Sequence, residues 1–330
     1  MPRPDFPRNL PEFLTWFATD DACFEYVAQS RWPDGQACPR CQSPSSIFVA
    51  TRRLYECRDC SYQTSVTAGT IMHRSHLPLS KWLLAAYFVT TDKRGISAKY
   101  LARQLGVGYE TAWGLLHKLR AAMIAPQRSK LSGAIELDET FIGSPKRGRP
   151  REETPEKMIV VGAVERRMNP ENGRYYAGRV RLRYLPEGRS RDDILDFMLK
   201  ASRFGSTIVT DAANVYTGNV GAMGYTSAIE STTQGMKPGD VLPLFHLVVS
   251  NLKAWLAGTH HGAASAKHLQ AYLDEYAFRF NRRGTPQAAF QTVLGICGTR
   301  RGPEIDQLYL PHWCEGSWPG VNPSRERLAS

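Results

Sequence analysis

The chain has 330 residues, 42% of them apolar and 22% charged, a balance that excludes general disorder and gives room for two or three domains. Lys and Arg number 42 against 31 Asp and Glu, a formal charge of +11, which points to a polyanionic partner, nucleic acid before anionic membrane. No run of 18 apolar residues is present and the N-terminal MPRPDFPRNLPEF lacks an apolar signal core, so neither a membrane span nor export is expected.

The basic surplus is uneven. Residues 1–130 carry 17 Lys and Arg against 10 Asp and Glu, whereas residues 131–330 carry 25 against 21. Within the first part, Cys38, Cys41, Cys57 and Cys60 form the pattern C-x2-C-x15-C-x2-C. Two residues between cysteines make a tight knuckle, and two knuckles supply the four soft ligands of a closed, structural zinc site. The intervening IFVATRRLYECRDC predicts a hairpin, giving a ribbon over about residues 36–65 within an N-terminal segment 1–75. Cys23, Cys297 and Cys314 stand alone and read as core or incidental.

Residues 76–130 read as helical. PLSKWLLAAYFVTTD (78–92) predicts one helix, with Trp82, Leu83, Ala86 and Tyr87 apolar. Ser97 is a candidate N-cap for a second, Gly106 and Gly108 punctuate a turn, and a third helix is expected from Tyr109 to Met123. Helix, glycine-bearing turn, helix fits a helix-turn-helix, and an ordinary helical hairpin fits it equally. As a DNA reader, the last helix would lead with Tyr109, Glu110 and Thr111 and turn Lys118 and Arg120 toward phosphate.

Beyond residue 130, AIELDETFIG (134–143) predicts a strand with Ile135, Leu137, Glu139 and Phe141 on one face and Glu136, Asp138, Thr140 and Ile142 on the other. A carboxylate in mid-strand needs a partner or a cation. Strands are predicted at 157–165 and 175–185, a helix at 191–202, and a strand at 207–210 that ends on Asp211. The order β-β-β-α-β suggests a mixed sheet, in which Asp138 and Asp211 on neighbouring strands could hold one or two Mg²⁺ ions for phosphoryl transfer. Between the first two strands, the basic loop 143–153 offers Lys146, Arg147 and Arg149 to a DNA backbone or minor groove, with a plain solvated loop as the alternative.

The cysteine pairs, GTIMHRSHLPLSKW, the helical segment, ELDETFIG and SNLKAWLAGTHHGAASAKHLQAYLDEYAFRFNRR together resemble the zinc-ribbon insertion-sequence transposases of the ISXO-like group, over about residues 20–300. The resemblance implies an RNase H-like catalytic domain, a mixed α/β sheet with flanking helices, over 131–300. It also implies a metal-binding triad whose first two members match Asp138 and Asp211. The third position, Glu in many members and Asn in some, falls at Asn251, with Lys253 as the nearest accompanying base. A Glu-x3-Arg-x2-Arg signature of some subgroups is matched by Glu275, Arg279 and Arg282. Asn offers Mg²⁺ an oxygen but no charge, so three readings stay open: Asn251 is the third ligand, Glu275 supplies the charge instead, or the copy is catalytically weak.

Residues 266–283 predict an amphipathic helix with Leu269, Tyr272, Leu273, Tyr276 and Phe280 inward and Lys267, Arg279 and Arg282 available to phosphates. His246, His260, His261 and His268 fit no standard zinc spacing. Residues 301–330 carry no usable signal.

The expectation is a DNA transposase with structural Zn²⁺ and catalytic Mg²⁺ or Mn²⁺. It would act on double-stranded terminal repeats and target DNA, as a dimer or higher assembly in a prokaryotic cytoplasm. The alternatives are a transposon-derived DNA-binding regulator that no longer cuts and, less favoured, a nuclease of the same fold acting on branched DNA.

Overall fold

A computed structural model describes residues 5–124, 128–143, 157–188, 190–211, 220–221, 223–230, 241–260, 265–299 and 301–302. The chain forms two compact units, one from Met1–Pro126 with Arg282–Ser330, the other from Gln127–Asn281.

The first unit opens with α1 (Leu10–Trp16) and α2 (Asp20–Arg31), capped by the Asn9 and Thr19 side chains, which accept from Glu12 N and Ala22 N. A three-stranded antiparallel sheet follows, β1 (Ser46–Val49), β2 (Leu54–Cys57) and β3 (Gln63–Ser65), in the order β1-β2-β3. Arg31 anchors its exit to α2, donating to the carbonyls of Ser65, Val66 and Ala68 at 3.1, 2.7 and 2.6 Å. Then come α3 (Leu79–Thr91), α4 (Ala98–Leu105) and α5 (Tyr109–Met123). Ser97 caps α4 through Tyr100 N, and Gly106, at φ +59°, ends it in the left-handed conformation that glycine adopts without strain.

The last helix, α9 (Pro286–Thr299), belongs to this unit and packs on α2, α3 and α5. Its Phe290 sits within 6.2 Å of the rings of Phe13, Phe17, Tyr26 and Tyr87. The second unit closes at Asn281.

The second unit is built on β4 (Ala134–Ile142), β5 (Met158–Met168), β6 (Tyr175–Leu185), β7 (Thr207–Thr210) and β8 (Thr226–Ile229), in the order β6-β5-β4-β7-β8. The first three are antiparallel neighbours, while β7 runs parallel to β4 and β8 parallel to β7. With α6 (Arg191–Ala201) before β7, and α7 (Pro243–His260) and α8 (Ala266–Asn281) after the sheet, this is the mixed arrangement expected of an RNase H-like domain.

Strand alternation assigns the two faces. Ile135, Leu137, Val161, Ala163 and Ile208 pack with Ile194, Phe197 and Met198 of α6. Ile142, Val160, Val164, Val180, Leu182 and Val209 pack with Phe245, Val248 and Leu252 of α7 and Leu269, Leu273 and Tyr276 of α8. The free edge of β6 is closed by side chains of α8. Gln270 accepts from Tyr184 N at 2.8 Å and donates to Leu182 O at 3.3 Å. Asn281 accepts from Val180 N at 2.7 Å and donates to Val180 O at 3.1 Å. Two amides thus satisfy backbone groups that would otherwise template another strand.

Candidate functional site

The four cysteines converge. Their Sγ atoms lie within 4.8 Å of one another, and Cys38–Cys60 and Cys41–Cys57 approach to 3.6 and 3.5 Å. Zinc with sulfur ligands at about 2.3 Å sets those sulfurs about 3.8 Å apart in a tetrahedron, so the donors fit the ion. The two knuckles repeat one geometry. Cys38 N donates to Ser43 O and Gln42 N to Cys38 O; Cys57 N donates to Tyr62 O and Ser61 N to Cys57 O. Gln42 and Ser61, each directly after a knuckle's second cysteine, adopt φ of 62° and 56°. Four thiolates leave no open position, so a zinc here is structural. Among the described residues this is the only cluster of three or more His, Cys, Asp or Glu side chains placed to hold a metal. His260 stacks on Tyr272 with ring centroids 4.0 Å apart; His261 lies outside the described residues.

On the helical segment, Tyr109 (59% exposed), Glu110 and Thr111 stand at the open N-terminus of α5, and Lys118 is half-buried. Arg120 corrects the sequence reading: it is 2% exposed, inside the unit rather than toward phosphate. It lies only about 40° around the helix from buried Leu116. Lys99 and Arg103, exposed on α4, were not singled out from the sequence and present cations on the neighbouring helix.

The carboxylates meet on the sheet. The β4–β7 pairing runs through Ala134↔Thr207, Ile135↔Ile208 and Glu136↔Val209. Continued by two residues, that register sets Asp138 level with Asp211. Both belong to the face covered by α7, since Ile142 and Val209, at even spacing from them, pack in that core. Both are half-buried, and Asp138 accepts from Glu139 N at 2.8 Å. Opposite Asp138 on β5 is Gly162, where a Cβ would meet Phe245 Cε2 at 2.8 Å. α7 thus rests directly against the strand pair beside Asp138, and it carries Asn251 and Lys253, both exposed, on either flank of buried Leu252.

The other expected residues divide. Glu275 is 0% exposed, and its carboxylate lies 3.7 Å from Arg279 one turn on. It forms no three-membered ligand group with Asp138 and Asp211. The Arg279 side chain is 11% exposed and its guanidinium lies 5.9 Å from the Trp255 ring, so it faces inward instead of offering itself to phosphate. Lys267 is exposed and Arg282 half-buried. Lys146, Arg147 and Arg149 lie outside the described residues.

Sequence reasoning missed an ionic network beside the aspartates. Glu136, 0% exposed, accepts from Arg166 Nε at 2.7 Å and from Phe245 N at 2.7 Å. Arg166 also donates to both oxygens of Glu230, at 2.7 and 2.8 Å. Arg166 and, to a smaller extent, the Leu242 N–H hold the Glu230 carboxyl below its ordinary range against the opposing effect of burial. The signal available was Glu136 itself, an acid on the face that the alternation turns inward.

Residues 130–281 match the ISXO2-like transposase domain, and residues 18–63 match the transposase zinc-ribbon domain. A curated relative, an uncharacterized protein in transposable element ISH50 of Halobacterium salinarum, is 30% identical over 140 residues, 42% of this chain and 47% of the relative. The match therefore spans about half the relative's length. Among the described residues no helix is long and apolar enough to cross a membrane. The chain thus carries a transposase zinc-ribbon domain followed by an ISXO2-like transposase domain.

Proposed function

We propose that the chain binds the terminal inverted repeats of its insertion sequence and, with divalent metal, cuts and joins DNA strands at those ends. What supports this reading is the parallel β4–β7 register, which, continued by two residues, brings Asp138 and Asp211 to one level on the face that α7 covers. Two carboxylates and the amide oxygen of Asn251 are hard donors of the kind Mg²⁺ and Mn²⁺ take. When bound, such ions would polarise the phosphodiester and stabilise the attacking and leaving oxygens.

Asp138 and Asp211 supply the negative charge of the site, and Asn251 completes the donor set from α7. Lys253, two residues on and exposed, offers a cation to the DNA backbone. In the first step water attacks the phosphodiester at the element's end, one P–O bond forms as another breaks, and a 3′-OH is released. In the second that 3′-OH attacks a target phosphodiester, a transesterification that conserves the number of P–O bonds. Tyr109, Thr111, Lys118, Lys99 and Arg103 would contact the repeat DNA, with the zinc ribbon beside them. Two ends must be held together, so a dimer or larger assembly on DNA is expected, in the cytoplasm of a prokaryote.

The test incubates the zinc-loaded protein with labelled DNA from the flanks of its own gene, in Mg²⁺ or Mn²⁺, beside Asp138→Ala. Metal-dependent cuts at the repeat ends, absent in the variant, are expected. Specific binding without cutting under both metals would instead favour a DNA-binding regulator.

A further inference from the structure

The first turn of α7 rests on groups that the proposed chemistry does not use. Pro243 opens the helix without an N–H to satisfy, and Leu242 before it holds φ at +54°, a conformation that a leucine keeps only when its surroundings enforce it. The Phe245 N–H, one of the initial amides with no acceptor inside the helix, is taken by Glu136 from β4. Glu230 lies just past β8. Arg166 from β5 joins the two carboxylates, one through Nε and the other through both terminal nitrogens.

The placement ties this network to the metal donors. Glu136 lies two residues before Asp138 on the same face of β4. Glu230 stands level with Asp211, because Thr210 pairs with Ile229 and Glu230 N donates to Thr210 O at 2.9 Å. Asn251 lies six residues beyond Phe245, about 9 Å along the helix. A tilt of about 10° at the first turn would shift it by about 1.5 Å, more than a Mg²⁺ shell with oxygens at about 2.1 Å tolerates. Arg166 also occupies two carboxylates that otherwise stand beside the aspartates as rival ligands.

We propose that Glu136, Arg166 and Glu230 form a seat that fixes the N-terminus of α7 on the sheet and so presents Asn251 to Asp138 and Asp211. They are positioning residues, and the inference rests on the reading of those three side chains as metal donors. A lysine at 166 keeps the charge but cannot bridge two carboxylates with a planar fork.

The test uses zinc-loaded full-length protein without DNA, comparing wild type, Asp138→Ala, Glu136→Gln, Arg166→Lys and Met198→Ala. The last of these loosens the opposite, α6-side core of the same unit. Mn²⁺ uptake is followed by electron paramagnetic resonance, and amide exchange over residues 241–248 by mass spectrometry. Both seat variants should raise the half-saturating Mn²⁺ concentration at least fivefold and speed exchange in the first turn of α7 at least tenfold. Met198→Ala should do neither at an equal loss of Tm. Wild-type Mn²⁺ binding in either seat variant, or an equal weakening in Met198→Ala, would overturn the proposal. If the wild type shows no Asp138-dependent Mn²⁺ uptake, the metal reading itself has failed. Exchange at α7 then decides the seat alone, and unchanged exchange overturns it.

Discussion

Replacing Glu165 by Gln should cost the second unit about 3 kcal/mol at pH 7. Glu165 is fully buried on β5. Its carboxylate accepts from Arg179 Nη2 at 2.6 Å, Arg179 Nε at 3.0 Å, Ser132 N at 2.9 Å and Arg179 N at 3.2 Å, and Arg167 approaches at 3.2 Å. Burial works to raise its pKa, but the Arg179 side chain, then the Ser132 and Arg179 backbone amides, prevail and bring it from 4.5 to about 2. A folded-state value below the ordinary one stabilises above the ordinary pKa and is lost as pH falls through the folded value. The drop corresponds to about 3 kcal/mol at neutral pH, of which about 2 kcal/mol is gone by pH 3. Glutamine keeps the volume and removes the charge, so the deficit of the variant should shrink in step. The assay is native-state hydrogen exchange of β4–β6 amides in both proteins from pH 7 to pH 3. A deficit under about 1 kcal/mol at pH 7, or one that stays constant across that range, would refute the reasoning.

Asp274 should behave with the opposite sign. It is buried on α8, and desolvation pushes its carboxyl up to about 6 against the pull of Arg128 and Gln270. Its cost therefore grows as pH rises from about 4 to 6. Asp274→Asn should flatten that decline in amide protection, and a curve parallel to wild type contradicts the assignment. Gly162→Ala should lower the Tm by an amount equivalent to about 1–3 kcal/mol, because the new methyl meets Phe245 and Leu182 at 2.8 and 2.9 Å; an unchanged Tm contradicts the packing. Cys57→Ser should take bound zinc from one ion per chain to none by elemental analysis, with the ribbon becoming protease-sensitive. Retained zinc would contradict a four-thiolate site.

Much of this architecture is legible in the sequence because the signals are local. Alternation in AIELDETFIG and YYAGRVRLRYL gives β4 and β6, and Ser97 with Gly106 marks both ends of α4. The knuckle spacing gives the metal cluster outright. What escaped depends on distant partners. Nothing within Pro286–Thr299 says that Phe290 packs on Phe13 and Tyr87 rather than on the sheet. β8 is four residues with only one half-buried side chain, and it exists as a strand because β7 pairs with it. Arg120 was misplaced by residue type, although its angle on the helix falls beside the Leu116 stripe. Glu136 and Glu230 form a network only through Arg166, which bridges them across the sheet from a strand distant in sequence.

Asp138, Asp211 and Asn251 are proposed to share one divalent metal site. Its most direct test is iron-mediated cleavage of the chain itself: zinc-loaded protein is equilibrated with Fe²⁺, treated with ascorbate and peroxide, and its fragments are mapped by mass. Backbone cuts should cluster near residues 138, 211 and 251, be suppressed by excess Mg²⁺, and vanish in Asp138→Ala. Cuts near Glu275 that leave the Asn251 region intact, or no Mg²⁺-sensitive cuts near the two aspartates, would contradict it.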